Sequence, residues 1–209
     1  MDLNFVFSWI ETNKLEVFGV ISSLVYLYFS INRMVWLWPL GILSSALYVS
    51  IFFDARLYAD MALSVYYVLI SIYGWHYWST IGSGFATKED AVLIVNKKMW
   101  CNLALASVAV YGVFLAALLV LPVWLGMPSA AMPLLDALTT ALGVVATWML
   151  ARRYLEQWLI WVFVDLLSAG MYFYKGLYPT AILFLVYTAM ALVGYVAWKK
   201  EFISNSTGL

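Results

Sequence analysis

Seven long apolar runs separated by brief polar punctuation set the plan of this chain. A helix that crosses a bilayer needs about 20 mostly apolar residues. The runs fall at roughly 15–31, 34–53, 57–78, 99–120, 131–151, 155–174 and 177–198. Between them stand Asn32-Arg33, Asp54-Ala55-Arg56, Arg152-Arg153 and Lys175-Gly176. Connections this short make consecutive helices antiparallel neighbours. Only Ser79 to Lys98 is long; it carries Gly82, Gly84, Lys88, Glu89, Asp90, Lys97 and Lys98. Its apolar run Ala91 to Val95 is too short to span and is expected at the membrane interface. Pro122 to Pro128 reads as an uncharged loop, and the tail from Glu201 to Leu209 as disordered. The pattern predicts an all-α membrane protein of seven transmembrane helices.

The runs are not independent. Shifted by 120 positions, the sequence matches itself without a gap. Arg33 meets Arg153, Trp38 meets Trp158, Tyr67 meets Tyr187, Gly74 meets Gly194 and Trp78 meets Trp198, while Glu16 meets Asp136 with its charge kept. Leu and Val matches are cheap in such a chain; Trp, Gly, Tyr and Arg matches in one register are not. The reading is a 3+1+3 parallel internal repeat. An N-terminal segment (1–14) precedes the first three-helix repeat (15–78) and a cytoplasmic loop (79–98). A linking helix and loop (99–130), the second repeat (131–198) and a cytoplasmic tail (199–209) follow. Three helices per unit is an odd number, so the fourth helix is needed to bring the second unit back to the orientation of the first. Such repeats are common in transporters, whose sites lie between the repeats near mid-membrane.

Composition agrees. Of 209 residues, 66% are apolar and 11% charged, against about half and about one quarter in a soluble domain. Eleven Lys and Arg balance eleven Asp and Glu, so nothing points to nucleic acid. One cysteine, Cys101, excludes an internal disulfide, and one histidine, His76, excludes a His-cluster metal site. The first residues, Met1 to Asn13, lack the basic start and cleavage site of a signal peptide. Lys and Arg in loops set orientation. Lys14, Arg56 and Lys175 fall on one side; Arg33, Lys88, Lys97, Lys98, Arg152, Arg153, Lys199 and Lys200 fall on the other. The more basic side is expected to be cytoplasmic, with the C-terminus there and the N-terminus outside.

Helix six is the most informative. Trp158, Trp161, Asp165, Ser168 and Tyr172 recur at helical spacing on one face. A carboxylate near mid-span costs about 2.5–3.5 kcal/mol and therefore faces the bundle interior. Two indoles one turn apart with an acid beyond suit a flat cationic ring. The equivalent face of helix two is Trp38, Gly41, Ser45 and Tyr48; helix three offers Asp60, Ser64, Tyr67 and Ser71. Tyr187 matches Tyr67 in the second repeat. Helix five, with Asp136, Thr140, Gly143 and Thr147, reads mainly as a close-packing surface. No serine has a partner base, no glycine loop precedes a basic residue and no acidic metal cluster is present. Enzymatic activity and a resident cofactor are not expected. A transporter is the first reading, and a non-transporting membrane scaffold or sensor subunit the second.

The stretch NRMVWLWPLGILSSALYVSIFFDARLYADMALSVYYVLISIYGWHYW, from Asn32 to Trp78, resembles the nicotinamide riboside transporter family (PnuC-type) in its WPLGI, LYAD and YGWxxW elements. EQWLIWVFVD, YKGLY and GYVAWKK continue the likeness through the second half. The resemblance implies a three-plus-one-plus-three fold related to sugar-transporting SWEET proteins, a homotrimer and a bacterial inner membrane. It implies facilitated diffusion of a vitamin-like substrate that a cytoplasmic kinase then traps. The family's W-x-x-W substrate motif falls on Trp158 and Trp161. The chain departs from the family at Ser64, where glutamine is frequent, and in Thr180 to Trp198, which lacks the family's asparagines. Related branches resemble thiamine or riboflavin carriers; nicotinamide riboside and thiamine both present a cationic aromatic ring.

Single cysteines placed in a Cys101→Ser background test the orientation. Those between Pro122 and Pro128 should react with an impermeant maleimide added outside, and those between Ser79 and Lys98 should not. The opposite labelling would invert the assignment.

Overall fold

The computed structural model describes residues 14–54, 58–81, 92–126, 128 and 130–207. The N-terminal segment 1–13, Arg56, and the loop residues Gly82, Gly84, Lys88, Glu89 and Asp90 lie outside the described residues. Seven helices are described: α1 (Lys14–Ile31), α2 (Leu37–Asp54), α3 (Tyr58–Ile81), α4 (Lys97–Leu125), α5 (Pro133–Ala151), α6 (Gln157–Tyr174) and α7 (Tyr178–Thr207). Four of them, α2, α4, α5 and α7, are long and apolar enough to cross a bilayer by length and composition. With its exposed Leu, Val and Phe side chains, the chain is a multi-pass membrane protein. In α3 and α6 the apolar runs are diluted by Asp, Ser, Tyr and Trp, many of which face inward.

The helices pack as two hairpins, α2 on α3 and α6 on α7, crossed by α1 against α7 and α3 against α5. Helix α4 lies along α5. Residues 120 apart make matching contacts. Arg33 (φ 51°) and Arg153 (φ 59°) are the two described non-glycine residues in the left-handed region, each ending a helix. In both turns the next amide reaches back five residues, Met34 N–H to the Phe29 carbonyl at 2.8 Å and Tyr154 N–H to the Met149 carbonyl at 2.9 Å. This is the bond that normally accompanies a terminal glycine. Arginine adopts the strained conformation because its side chain is held: Arg33 pairs with Glu201, and Arg153 lies 4.7 Å from the Trp78 ring centre.

The tightest core is four tryptophans at this end. Trp38, Trp78, Trp158 and Trp198 are each at most 1% exposed. Trp38 meets Trp78 edge-on at 5.3 Å, and Trp158 meets Trp198 edge-on at 5.6 Å. Each outer ring then crosses to the other half. Trp78 Nε1–H donates to the Ala151 carbonyl and Trp198 Nε1–H to the Ile31 carbonyl, both at 3.0 Å. Gly74 and Gly194 make room: a Cβ there would stand 2.6 Å from the Trp38 ring and 2.7 Å from the Trp158 ring.

Two expectations are corrected and a third gains detail. The run ending at Val95 docks on the turn between α5 and α6. Leu93 pairs with Tyr154 in a parallel bridge, and Val92 is 1% exposed in the tryptophan core. An apolar strand with unmet amides is better placed on the exposed backbone of the α5–α6 turn than in lipid. Helix α4 does not stop near 120; Pro122 sits in its last turn, and Gly126 (φ 64°) ends it with an N–H to the Pro122 carbonyl. The tail beyond Glu201 is helical to Thr207, because Glu201 is tied to Arg33 and Phe202 packs on the tryptophan core.

Gly194→Ala should destabilise the protein by about 1–3 kcal/mol, since a buried indole cannot yield to the new methyl. Gly112, with nothing within 4 Å of its Cβ position, supplies the control. Thermal unfolding in detergent is the measurement: Gly194→Ala melts earlier, while Gly112→Ala is unchanged or melts later.

Candidate functional site

Below the tryptophan core the two halves face each other across polar and aromatic side chains. Gly143 on α5 is one place where they meet. The Trp161 ring of α6 lies 3.6 Å and the Tyr67 hydroxyl of α3 lies 3.7 Å from where its Cβ would stand. A Cβ there would be in ordinary van der Waals contact with both, so two side chains from opposite halves close over one place on α5. Helix α3 is fixed to α5 beside this point by the Tyr66 hydroxyl, which donates to the Val144 carbonyl at 2.7 Å. Thr147, one turn on, spends its hydroxyl on the Gly143 carbonyl at 2.8 Å.

Asp165 follows Trp161 by one turn and is buried, as is Ser168 beyond it. The Asp165 carboxylate forms no ion pair among the described residues. It lies within electrostatic range of Tyr187 on α7. The Tyr187 hydroxyl shares a hydrogen bond with Ser23 Oγ on α1. Ser23 and Gly143 are 120 residues apart, as are Tyr67 and Tyr187. Each tyrosine therefore reaches from one half to the matching position of the other. Tyr26 completes the group, with its ring 3.7 Å from the Cβ position of Gly41 and its hydroxyl in range of Tyr67.

Of the residues singled out by spacing, Trp161, Asp165, Tyr67 and Tyr187 come together here, and Ser168 is buried further along the same helix. Ser64 is buried on α3, its hydroxyl donating to the Asp60 carbonyl at 2.9 Å. Ser45 is half-buried on α2, at the position that Asp165 holds in α6. Trp38 and Trp158 lie in the tryptophan core, fully covered, and Trp161, Tyr26 and Tyr67 pack against that core. Tyr48 is not in this group. The covered stripe of α2 runs through Trp38, Gly41, Ile42, Ser45, Val49 and Phe52, and Tyr48 lies at its rim, 53% exposed and stacked on Phe52. Spacing alone missed Ser23 and Tyr26, and it read Gly143 only as part of a packing stripe. The register shift held the signal, because Ser23 and Gly143 are each other's match, opposite a matched pair of tyrosines.

A hollow of about 260 Å³ opens at the other end, between α3, α4 and α5, lined by Asp60, Phe114, Asp136 and Thr140. Asp136 stands 3.9 Å from Lys175. No group of three or more potential metal ligands occurs among the described residues.

Comparison with known proteins gives one consistent picture. The profile of a family described as nicotinamide mononucleotide transporters matches residues 13–200. The nicotinamide riboside transporter PnuC of Escherichia coli (strain K12) is 26% identical over 208 aligned residues, covering 91% of this chain and 85% of that protein. The riboflavin/roseoflavin transporter RibM of Streptomyces davaonensis is 26% identical over 185 residues, covering 88% and 83%. A crystal structure of the vitamin B3 transporter PnuC aligns with a TM-score of 0.67 at 23% identity, covering 95% of this chain and 86% of that one, which establishes a shared fold.

Proposed function

Because the chain belongs to the nicotinamide mononucleotide transporter family, we propose that this membrane transporter carries nicotinamide riboside. The route is facilitated diffusion across a bacterial inner membrane, with a cytoplasmic kinase trapping the product. The observation that carries the choice of substrate is the Trp161–Asp165 face opposed by Tyr67 and Tyr187. An indole and an unpaired buried carboxylate one turn apart offer stacking and charge to a pyridinium ring. The neighbouring tyrosine and serine hydroxyls suit a ribose. The matching contacts at residues 120 apart support a parallel 3+1+3 arrangement of seven spans, with the site between its halves. The Arg and Lys residues gathered at the tryptophan end support a cytoplasmic C-terminus. A homotrimer follows from the family likeness.

The likeness to RibM favours a second reading, riboflavin. Its isoalloxazine ring is neutral and gains little from Asp165, so the two readings part at that residue. Titration calorimetry on purified protein separates them. Trp161→Ala should weaken binding of nicotinamide riboside about thirty-fold, the equivalent of ~2 kcal/mol. Asp165→Asn should weaken the cationic ligand and leave riboflavin nearly unchanged. Wild-type binding by a folded Trp161→Ala oligomer would remove this face from the reading.

Uptake into proteoliposomes that enclose a riboside kinase tests the mechanism. Accumulation should persist when an ionophore collapses the ion gradients; its arrest would mean that transport is coupled to an ion.

A further inference from the structure

Gln157 opens α6 as its first residue and is 0% exposed. Neither its Oε1 nor its Nε2 has a hydrogen-bond partner among the described residues. A side-chain amide offers two donors and an acceptor oxygen with two lone pairs, and burying all of them unmet is unfavourable. Packing does not demand the amide. The matching residue of the other half is Leu37, also 0% exposed, so an apolar side chain of similar size fills this place.

What distinguishes the second half is the stripe that Gln157 begins. Trp161, Asp165 and Ser168 follow it at i+4, i+8 and i+11 on one face of α6. The first half carries Leu37, Gly41, Ser45 and Tyr48 at the same positions, with neither amide, indole nor acid. One helical turn places Gln157 about 6 Å along the axis from Trp161, toward the sealed tryptophan end. That is close to the span from the centre of a stacked pyridine ring, through its carboxamide, to a hydrogen-bond partner.

We propose that Gln157 is a further substrate-binding residue, the next polar contact after Trp161 on the way to the sealed end. Its donor and acceptor meet a planar group that bears the complementary pair, as a carboxamide does. The inference rests on the nicotinamide riboside reading. The residue is enclosed while Trp158 and Trp198 are packed, so the contact forms as that end loosens and the substrate moves past Trp161.

The test is a specificity ratio. Uptake by proteoliposomes is measured for nicotinamide riboside and for the same pyridinium riboside with methyl in place of the carboxamide. Gln157→Leu, which copies the other half, should reduce the preference for the carboxamide substrate about tenfold, the size of a lost hydrogen-bonded contact. Gln157→Glu keeps the shape, removes the donors and should reduce it likewise, so the test does not depend on one variant folding. An unchanged ratio overturns the inference, whether or not both rates fall together. Wild-type protein that takes up neither riboside overturns the substrate reading, and the role of Gln157 with it.

Discussion

Two indole N–H groups, each donating to the last carbonyl of a helix in the opposite half, hold the tryptophan end of this protein together. The end of a helix leaves carbonyls without partners, and a bilayer has no water to supply them. A buried indole has a donor that needs an acceptor. Trp78 with Ala151 and Trp198 with Ile31 answer both needs at once. The other features of this end serve that exchange. Gly74 and Gly194 let Trp38 and Trp158 close in behind the exchanged rings, and the arginine turns bring the helix ends into place. Leu93 to Val95 and Glu201 fasten the turns from outside, by the Leu93–Tyr154 bridge, the Val95 N–H to Glu156 Oε1 bond at 3.0 Å and the Arg33–Glu201 pair. With one end fixed by matched contacts, the interior below is free to be unequal.

That inequality is where the chemistry lies. Position by position along the register, Leu37 matches Gln157, Gly41 matches Trp161, Ser45 matches Asp165 and Ser23 matches Gly143. The backbone plan is shared, and the polar and aromatic functions are concentrated on α6. The first half contributes shape: Tyr26 fills the space above Gly41, and Tyr67 leans on Gly143. A flat ligand between the halves would meet an indole and a carboxylate on one side and tyrosine hydroxyls on the other.

The seven helices and their order were legible in the sequence because lipid imposes length and apolarity on a helix that crosses it. Asp165 was legible for a related reason, since a mid-span carboxylate must face inward. The roles of the two tryptophans of W-x-x-W were not. Periodicity says that Trp158 and Trp161 share a face, but not that the neighbour of one is Gly194, which swallows the ring, while the neighbour of the other is Gly143 with Tyr67 beside it. The Leu93 bridge was illegible because a single pair of backbone bonds has no sequence period. The helical tail was misread because its stabilising partners, Arg33 and the tryptophan core, lie far back in the chain. The apolar run ends near 120 with Pro122 to Pro128 as a loop, yet α4 continues through Pro122, whose missing N–H in a final turn leaves a single carbonyl unmet.

The crossed tryptophan bonds also carry a consequence for biogenesis. Trp78 is made 73 residues before its acceptor, and Ile31 waits for a donor 167 residues downstream. At ribosomal rates of about 5–20 residues per second, the first gap alone lasts roughly 4–15 s. The first three helices must therefore leave the insertion machinery with an unpaired indole and an uncapped helix end, and persist in lipid as an unfinished assembly. Helix α7 follows the other six described helices and brings Trp198 to Ile31, so a chain truncated before Trp198 would leave the end of α1 without this partner.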